Sequence, residues 1–362
     1  MSNESIILKR VESLTSRLGI RVPILLAPMA GACPASLSIA VAQAGGFGAC
    51  GALLMKSEEI VAWADEFRRG STGGFQMNLW IPDPPPKRDS EAESRVREFL
   101  ASWGPAVPPE AGDVKPPDFD EQCQAMLSVK PKAISSIMGL YPPAFVAEIK
   151  ARGILWFATA TTVAEARAAE EAGADVIVAQ GAEAGGHRGA FNPDAAERET
   201  VGLLALVPRI ADAVSVPVIA TGGIGDSRGV AAALMLGASA VQIGTGFLRT
   251  PEAKMHPTYA DRIGRTEAHD TVITRAFSGR PGRSVLTEYV RAAISGPAPA
   301  PYPVQRGLTA GMRQAAQKAN EPERMQMWAG QAAKYARAEP AGLIAQQLWD
   351  GALSLLSSAG VR

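Results

Sequence analysis

Cysteine is scarce in this chain. Cys33, Cys50 and Cys123 are the full set among 362 residues, odd in number and without Cys-x-x-Cys spacing. Neither a disulfide framework nor a zinc site is suggested, no metal is expected, and buried thiols are the simplest reading. Cys33 has a second reading as a thiol facing a site, because it follows a strand-like run in Pro28-Met29-Ala30-Gly31-Ala32-Cys33-Pro34. An excess of either charge is also lacking: 36 Lys and Arg balance 36 Asp and Glu. No net field therefore favours a nucleic-acid partner or an anionic membrane surface. No apolar run reaches the roughly 18 to 20 residues that span a bilayer, and Met1-Ser2-Asn3-Glu4-Ser5 lacks the basic-then-apolar plan of a signal peptide. A cytoplasmic protein is expected. Histidine numbers only three. His256 and His269 lie in polar stretches and read as solvated surface residues.

The third histidine stands apart. In Gly181-Ala182-Glu183-Ala184-Gly185-Gly186-His187-Arg188-Gly189 it hangs in a glycine-rich loop after Asp175-Val176-Ile177-Val178-Ala179-Gln180, a β-branched run that reads as a buried parallel strand. Glycines let backbone approach a ligand closely. His187 is thus a candidate catalytic residue, the alternative being a loop histidine that bonds only to backbone. Arg188 reads as an outward arginine on a polar loop or as added positive charge.

Eight such runs, 24–27, 47–50, 75–79, 133–137, 154–158, 176–179, 216–220 and 240–243, are each followed by a turn and an alanine-rich amphipathic segment. Eight βα units predict an α/β fold of the closed (β/α)8 barrel type rather than an open sheet. Thr162-Val163-Ala164-Glu165 is a capping box for a helix ended by Gly173, and Asp226 is an N-cap for one ended by Gly237. Both helices enter the next strand alike, Gly173-Ala174-Asp175-Val176 echoing Gly237-Ala238-Ser239-Ala240. The repeat is broken by a proline-rich charged insertion over 80–130, a polar loop around His187, and an excursion over 251–327. The barrel is then built from 1–79, 131–250 and 328–362. The two long insertions form a smaller lid domain over the C-terminal face, where barrel enzymes keep their sites.

Thr221-Gly222-Gly223-Ile224-Gly225 follows the seventh run and Gly244-Thr245-Gly246 the eighth. Loops at those places form the usual barrel phosphate site, the alternative being glycines that serve only tight turns. Neither a Walker loop nor a Rossmann fingerprint is present. Gln76-Met77-Asn78 and Gln180 end other strands with neutral amides, which donate and accept and so suit the pyrimidine edge of a flavin. Together with the close backbone at Ala27-Pro28-Met29-Ala30-Gly31, these point to FMN as the phosphorylated ligand.

Those segments, with Val216-Pro217-Val218-Ile219-Ala220-Thr221-Gly222-Gly223-Ile224 and Gln242-Ile243-Gly244-Thr245, resemble the nitronate monooxygenase family, formerly 2-nitropropane dioxygenases, over nearly the whole chain. Tyr302-Pro303-Val304-Gln305-Arg306-Gly307-Leu308-Thr309 and Met325-Gln326-Met327-Trp328-Ala329-Gly330-Gln331 resemble its bacterial class I members. The resemblance implies a mainly helical lid and non-covalent FMN held by Ala27, Pro28, Met29, Asn78, Gln180, Gly185, Gly222, Gly223, Gln242, Ile243, Gly244 and Thr245. It also implies His187 as the catalytic histidine, and oxidation of an alkyl nitronate or nitroalkane by dioxygen to a carbonyl compound and nitrite. His187 would act as an imidazolium beside the nitronate or as a neutral base toward a nitroalkane. Tyr141, Tyr302 and Gln305 are candidates for the pocket wall or for packing between lid and barrel. One departure stands in Ser135-Ser136-Ile137-Met138, where the family commonly has an aromatic residue or histidine near Met138.

Three other readings compete: an NAD(P)H-dependent FMN reductase of quinones or enoyl thioesters, a non-flavin isomerase or lyase on a phosphorylated substrate, and a flavin-binding protein without turnover. No periodic apolar seam identifies an assembly surface, so the oligomeric state is left open.

Overall fold

The computed structural model describes residues 3–358; Met1 and Ser2, from the stretch read as lacking a signal peptide, and residues 359–362 lie outside them. All eight apolar runs form strands, with ends shifted by one or two residues. In chain order the strands are β1 (Ile24–Leu26), β2 (Gly48–Gly51), β3 (Phe75–Trp80), β4 (Ala133–Ile137), β5 (Leu155–Ala160), β6 (Val176–Gln180), β7 (Gly186–His187), β8 (Val218–Thr221), β9 (Ala240–Ile243), β10 (Thr271–Thr274) and β11 (Gly282–Val285). Eight of them form one sheet in the order β1-β9-β8-β6-β5-β4-β3-β2. A parallel bridge between Leu25 and Phe47 brings this sheet round on itself as a (β/α)8 barrel. The capping box holds: Thr162 Oγ1 accepts from Glu165 N at 3.1 Å and Glu165 Oε2 accepts from Thr162 N at 3.2 Å.

Side-chain alternation along the strands decides what faces the barrel axis. Leu25, Phe157, Val176, Val178, Ile219 and Ala240 share an inner cluster with Phe47. Leu26, Trp156, Ile177, Ala179, Ala220 and Val241 belong to the outer layer against the helices. Helix Asn3–Leu18 adds Leu14 and Leu18 to the inner cluster, plugging the end where the strands begin. Each fully buried Val, Leu, Ile or Phe among these contributes about 1.5–3 kcal/mol. Continuing the same parity up the strands makes Asn78, Trp80, Thr159, Gln180, Thr221 and Gln242 the inward residues at the opposite end. The sequence therefore puts polar groups where the apolar filling stops.

The lid differs from expectation in three respects. It contains an antiparallel sheet, β10-β11-β7, whose third strand comes from the His187 loop. Helix Phe119–Ser128, expected in the insertion, packs on helix Ser57–Gly70 and sends Cys123, Met126 and Leu127 into the outer barrel layer. It is the delayed helix of the third βα unit. At the other boundary, Ala329, Ala333 and Ala336 pack with lid residues Ile263, Val285 and Met327. The closing helix is Ala341–Ser358 rather than one starting near Trp328, and it lies on helices Ser227–Met235 and Ala35–Gln43. No helix among the described residues is long and apolar enough to cross a membrane.

Candidate active site

A cavity of about 250 Å³ lies between the barrel mouth and the lid. One end is a backbone cradle. Gly222 and Gly223 line it with φ of 111° and 68°, a region that L side chains rarely adopt, and a Cβ on Gly222 would stand 2.9 Å from Ala184 N. A Cβ on Gly185 would stand 2.4 Å from Gly330 N, so these two strips of backbone meet with no room for a side chain. Thr245 Oγ1 accepts from Gly330 N at 3.0 Å and fixes the same contact from the β9 side. Ala27, Pro28, Met29, Ile243 and Gly244 complete this end.

The amides expected to face a ligand divide into two kinds. Asn78 Nδ2 donates to Ser135 Oγ at 3.0 Å and to Ser135 O at 3.2 Å, leaving its carbonyl oxygen as the acceptor offered to the cavity. Gln242 Oε1 accepts from Gln76 Nε2 at 2.8 Å, leaving its own NH2 as a donor. Gln180 is committed to the loop instead: Oε1 accepts from Gly189 N at 2.7 Å and Nε2 donates to His187 O at 3.1 Å. One free acceptor, one free donor and a glycine cradle fit a ring edge and a phosphate of the kind FMN carries.

The other end is aromatic. The His187 ring sits between Trp80 and Trp328, 4.6 Å from each ring centroid, and Trp80 also packs on Tyr302. His187 Nε2 lies 2.8 Å from Ser278 Oγ, and Ser278 donates its hydroxyl proton to Arg280 O at 3.1 Å. In the arrangement in which Ser278 donates to Arg280 O, the His187–Ser278 bond uses a proton on Nε2 and leaves Nδ1 as the basic nitrogen. Burial pushes the His187 pKa down to about 3, and the Arg280 and Arg306 guanidinium charges push the same way. The exposed part of His187 faces the cavity, not bulk solvent. His187 is neutral at neutral pH.

Several sequence expectations need correction. Arg188 is 1% exposed, not an outward surface group. It donates to Gly181 O at 2.7 Å and pins the start of the loop, while Arg283 Nε holds Ala182 O at 2.9 Å. Its pKa is lowered to about 10 by burial. Tyr141 is not in the cavity wall: its hydroxyl donates to Ser135 O at 3.1 Å and its ring packs on Phe119, Phe145 and Trp156 between barrel and helices. Gln305 also turns away, donating to Ala276 O at 2.8 Å and accepting from Ala300 N at 3.0 Å inside the lid. Tyr302 does line the cavity. Met138 is buried with φ of 70° and donates its N–H to Gly189 O at 3.2 Å, so that position braces the His187 loop. Cys33 faces backbone, its Sγ 3.2 Å from both Ala27 O and Met29 N. His269 is exposed, whereas His256 is half-buried with Nδ1 turned inward.

Sequence reasoning missed Trp80, Ser278, Arg306 and Trp328, all in the cavity wall. Trp80 was legible from parity, two residues beyond Asn78 on β3. Ser278 and Arg306 come from the long excursion and Trp328 follows directly on its end, where no period reports direction.

Fold and site together describe a (β/α)8 barrel with a glycine-lined, aromatic-ended cavity at its mouth, the place where barrel enzymes carry their chemistry. A nitronate monooxygenase family profile matches residues 12–350, and the chain belongs to that family, which places it among the oxidoreductases. A probable nitronate monooxygenase of Staphylococcus aureus (strain Newman) is 35% identical over 335 residues, 91% of this chain and 94% of the relative. The structure resembles a nitroalkane oxidase from Streptomyces ansochromogenes at 33% identity and a TM-score of 0.86, covering 96% of this chain and 100% of that one. FabK from Thermotoga maritima is similar at 26% identity and a TM-score of 0.74, covering 96% of this chain and 97% of that one.

Proposed function

We propose that this protein oxidises preformed alkyl nitronates with dioxygen, using non-covalent FMN, to a carbonyl compound and nitrite. The observation that carries the reading is His187 set between two tryptophans at one end of a cavity whose other end is a glycine cradle, in a chain of this family. Gly222, Gly223, Gly244 and Thr245 would hold the FMN phosphate, and Asn78 and Gln242 would meet the ring edge. FMN, when bound, supplies the electron acceptor. Trp80, Tyr302 and Trp328 exclude water and limit the substrate to a small chain.

The state of His187 bears on the substrate. Burial pushes the His187 pKa down to about 3, which favours the neutral imidazole near neutrality. The same value makes Nδ1 a weak base, because general-base efficiency falls as the pKa drops below the working pH. Neutral nitroalkanes are therefore poor substrates and the ionised nitronate is the good one.

The test is the visible spectrum of the purified protein under anaerobic conditions as propyl-1-nitronate is added. Loss of oxidised flavin absorbance is expected, with kcat/KM for the nitronate exceeding that for 1-nitropropane by about 10² or more. A flavin that stays oxidised with nitronate but bleaches with NADH would replace this reading by the reductase one. A protein that neither carries nor takes up FMN would end both.

A further inference from the structure

With His187 neutral, the positive charge that an anionic substrate needs must come from another group. Arg306 lines the cavity at the aromatic end, together with Trp80, His187, Ser278, Tyr302 and Trp328. We infer that Arg306 is the specificity residue that receives the negative charge of the substrate and selects a planar nitronate-type anion over its neutral nitroalkane. The identity of the anion rests on the nitronate reading above; the existence of an anion subsite does not.

The neighbouring guanidinium groups show why Arg306 is the one available. Arg280 is 2% exposed, ion-paired with Asp83, and donates to Ala190 O at 2.8 Å. Arg313 donates to Gln326 Oε1 at 3.1 Å and to Arg306 O at 2.9 Å. Both side chains are occupied. Arg306, half-buried, makes no side-chain hydrogen bond or ion pair among the described residues, although its backbone is held by Arg313 and Thr309. A guanidinium that is partly desolvated without a carboxylate is unfavourable unless a ligand completes it. Its fork of donors matches a planar pair of oxygens, as a nitronate presents. The short helix Val304–Leu308 explains how adjacent residues divide the work. Successive side chains on a helix point about 100° apart, so Gln305 enters the lid core while Arg306 reaches the cavity.

The holoenzyme and its Arg306→Met and Arg306→Lys variants would be assayed with propyl-1-nitronate and 1-nitropropane. Each would also be titrated calorimetrically with nitrate, a planar anion that cannot be oxidised here. Arg306→Met should raise KM for the nitronate by about 10- to 100-fold, the usual scale of a charge-assisted hydrogen bond, with kcat changed by less than about threefold. It should abolish nitrate binding and leave the 1-nitropropane KM unchanged. Arg306→Lys, which restores the charge but not the planar fork, should recover part of both losses. Unchanged nitronate KM and nitrate affinity in Arg306→Met would overturn the inference even if the protein oxidises nitronates. Nitrate binding that depends on Arg306 in a protein that oxidises no nitronate would uphold the anion subsite and overturn the proposed function instead.

Discussion

Lowering the pH from 7 to 5 should destabilise this protein more than its His187→Asn variant, by an amount that follows from the surroundings of His187. The ring lies between Trp80 and Trp328, and its pKa in the folded protein is pushed down to about 3 from an ordinary value of 6.5. Between those values the unfolded chain binds a proton at this residue and the folded chain does not. Unfolding then takes up a proton, so stability is complete above pH 6.5 and is lost progressively as the pH falls toward 3. Each unit below 6.5 removes about 1.36 kcal/mol, so 1.5 units would remove about 2 kcal/mol at pH 5. The ring is half-buried rather than fully enclosed, which reduces this to about 1–2 kcal/mol. Urea unfolding of both proteins at pH 7 and pH 5 isolates the effect, because other titrating groups are common to both and cancel in the difference of differences. Equal losses for the two proteins would show that His187 titrates normally when folded. The arguments against the imidazolium and for a nitronate substrate would then fail.

Two further perturbations follow from close contacts. Gly185→Ala places a Cβ 2.4 Å from Gly330 N and 2.6 Å from Ala329 C, both backbone atoms, so the loop and the 329–330 segment must separate. A stability loss of about 1–3 kcal/mol is expected, with flavin retention weakened at least tenfold, and an unchanged melting temperature with full retention would contradict the cradle geometry. Burial pushes the Cys33 and Cys123 thiols up to about 12 and raises Cys50 as well. A disulfide-exchange reagent at pH 8 should find no reactive thiol in the folded protein and three after denaturation; one fast thiol in the folded state would refute the structural reading of Cys33.

The parts of the fold legible in the sequence are those with a period. Strands alternate and helices carry caps, so the eight barrel strands and the helices after Thr162 and Asp226 were readable. The amides of Asn78 and Gln242 were readable as well, because alternation fixes which strand residues face inward. What the sequence conceals is decided by long-range contact. Arg188 reads as a surface group because it stands in a polar loop, yet the carbonyl of Gly181 and the lid above it bury the guanidinium. Tyr141 and Gln305 were candidates for the pocket wall or for packing between lid and barrel by their position in matching segments. Their polar atoms instead find backbone partners at Ser135, Ala276 and Ala300. Ser278 carried no signal at all, since its importance depends on lying 2.8 Å from a ring 91 residues away in the chain.

The lid sheet takes its last strand from the loop that carries His187: Gly282 pairs with His187, Arg283 with Gly186, and Arg188 N donates to Pro281 O at 2.9 Å. A swinging motion of the lid would have to break the backbone ladder on either side of His187, at Gly186 and at Arg188. Any opened conformation would thus be one in which His187 has lost its orientation, and opening could not precede chemistry without undoing it. Turnover in this barrel should accordingly carry no signature of a slow gating step of the microsecond-to-millisecond kind that mobile loops impose.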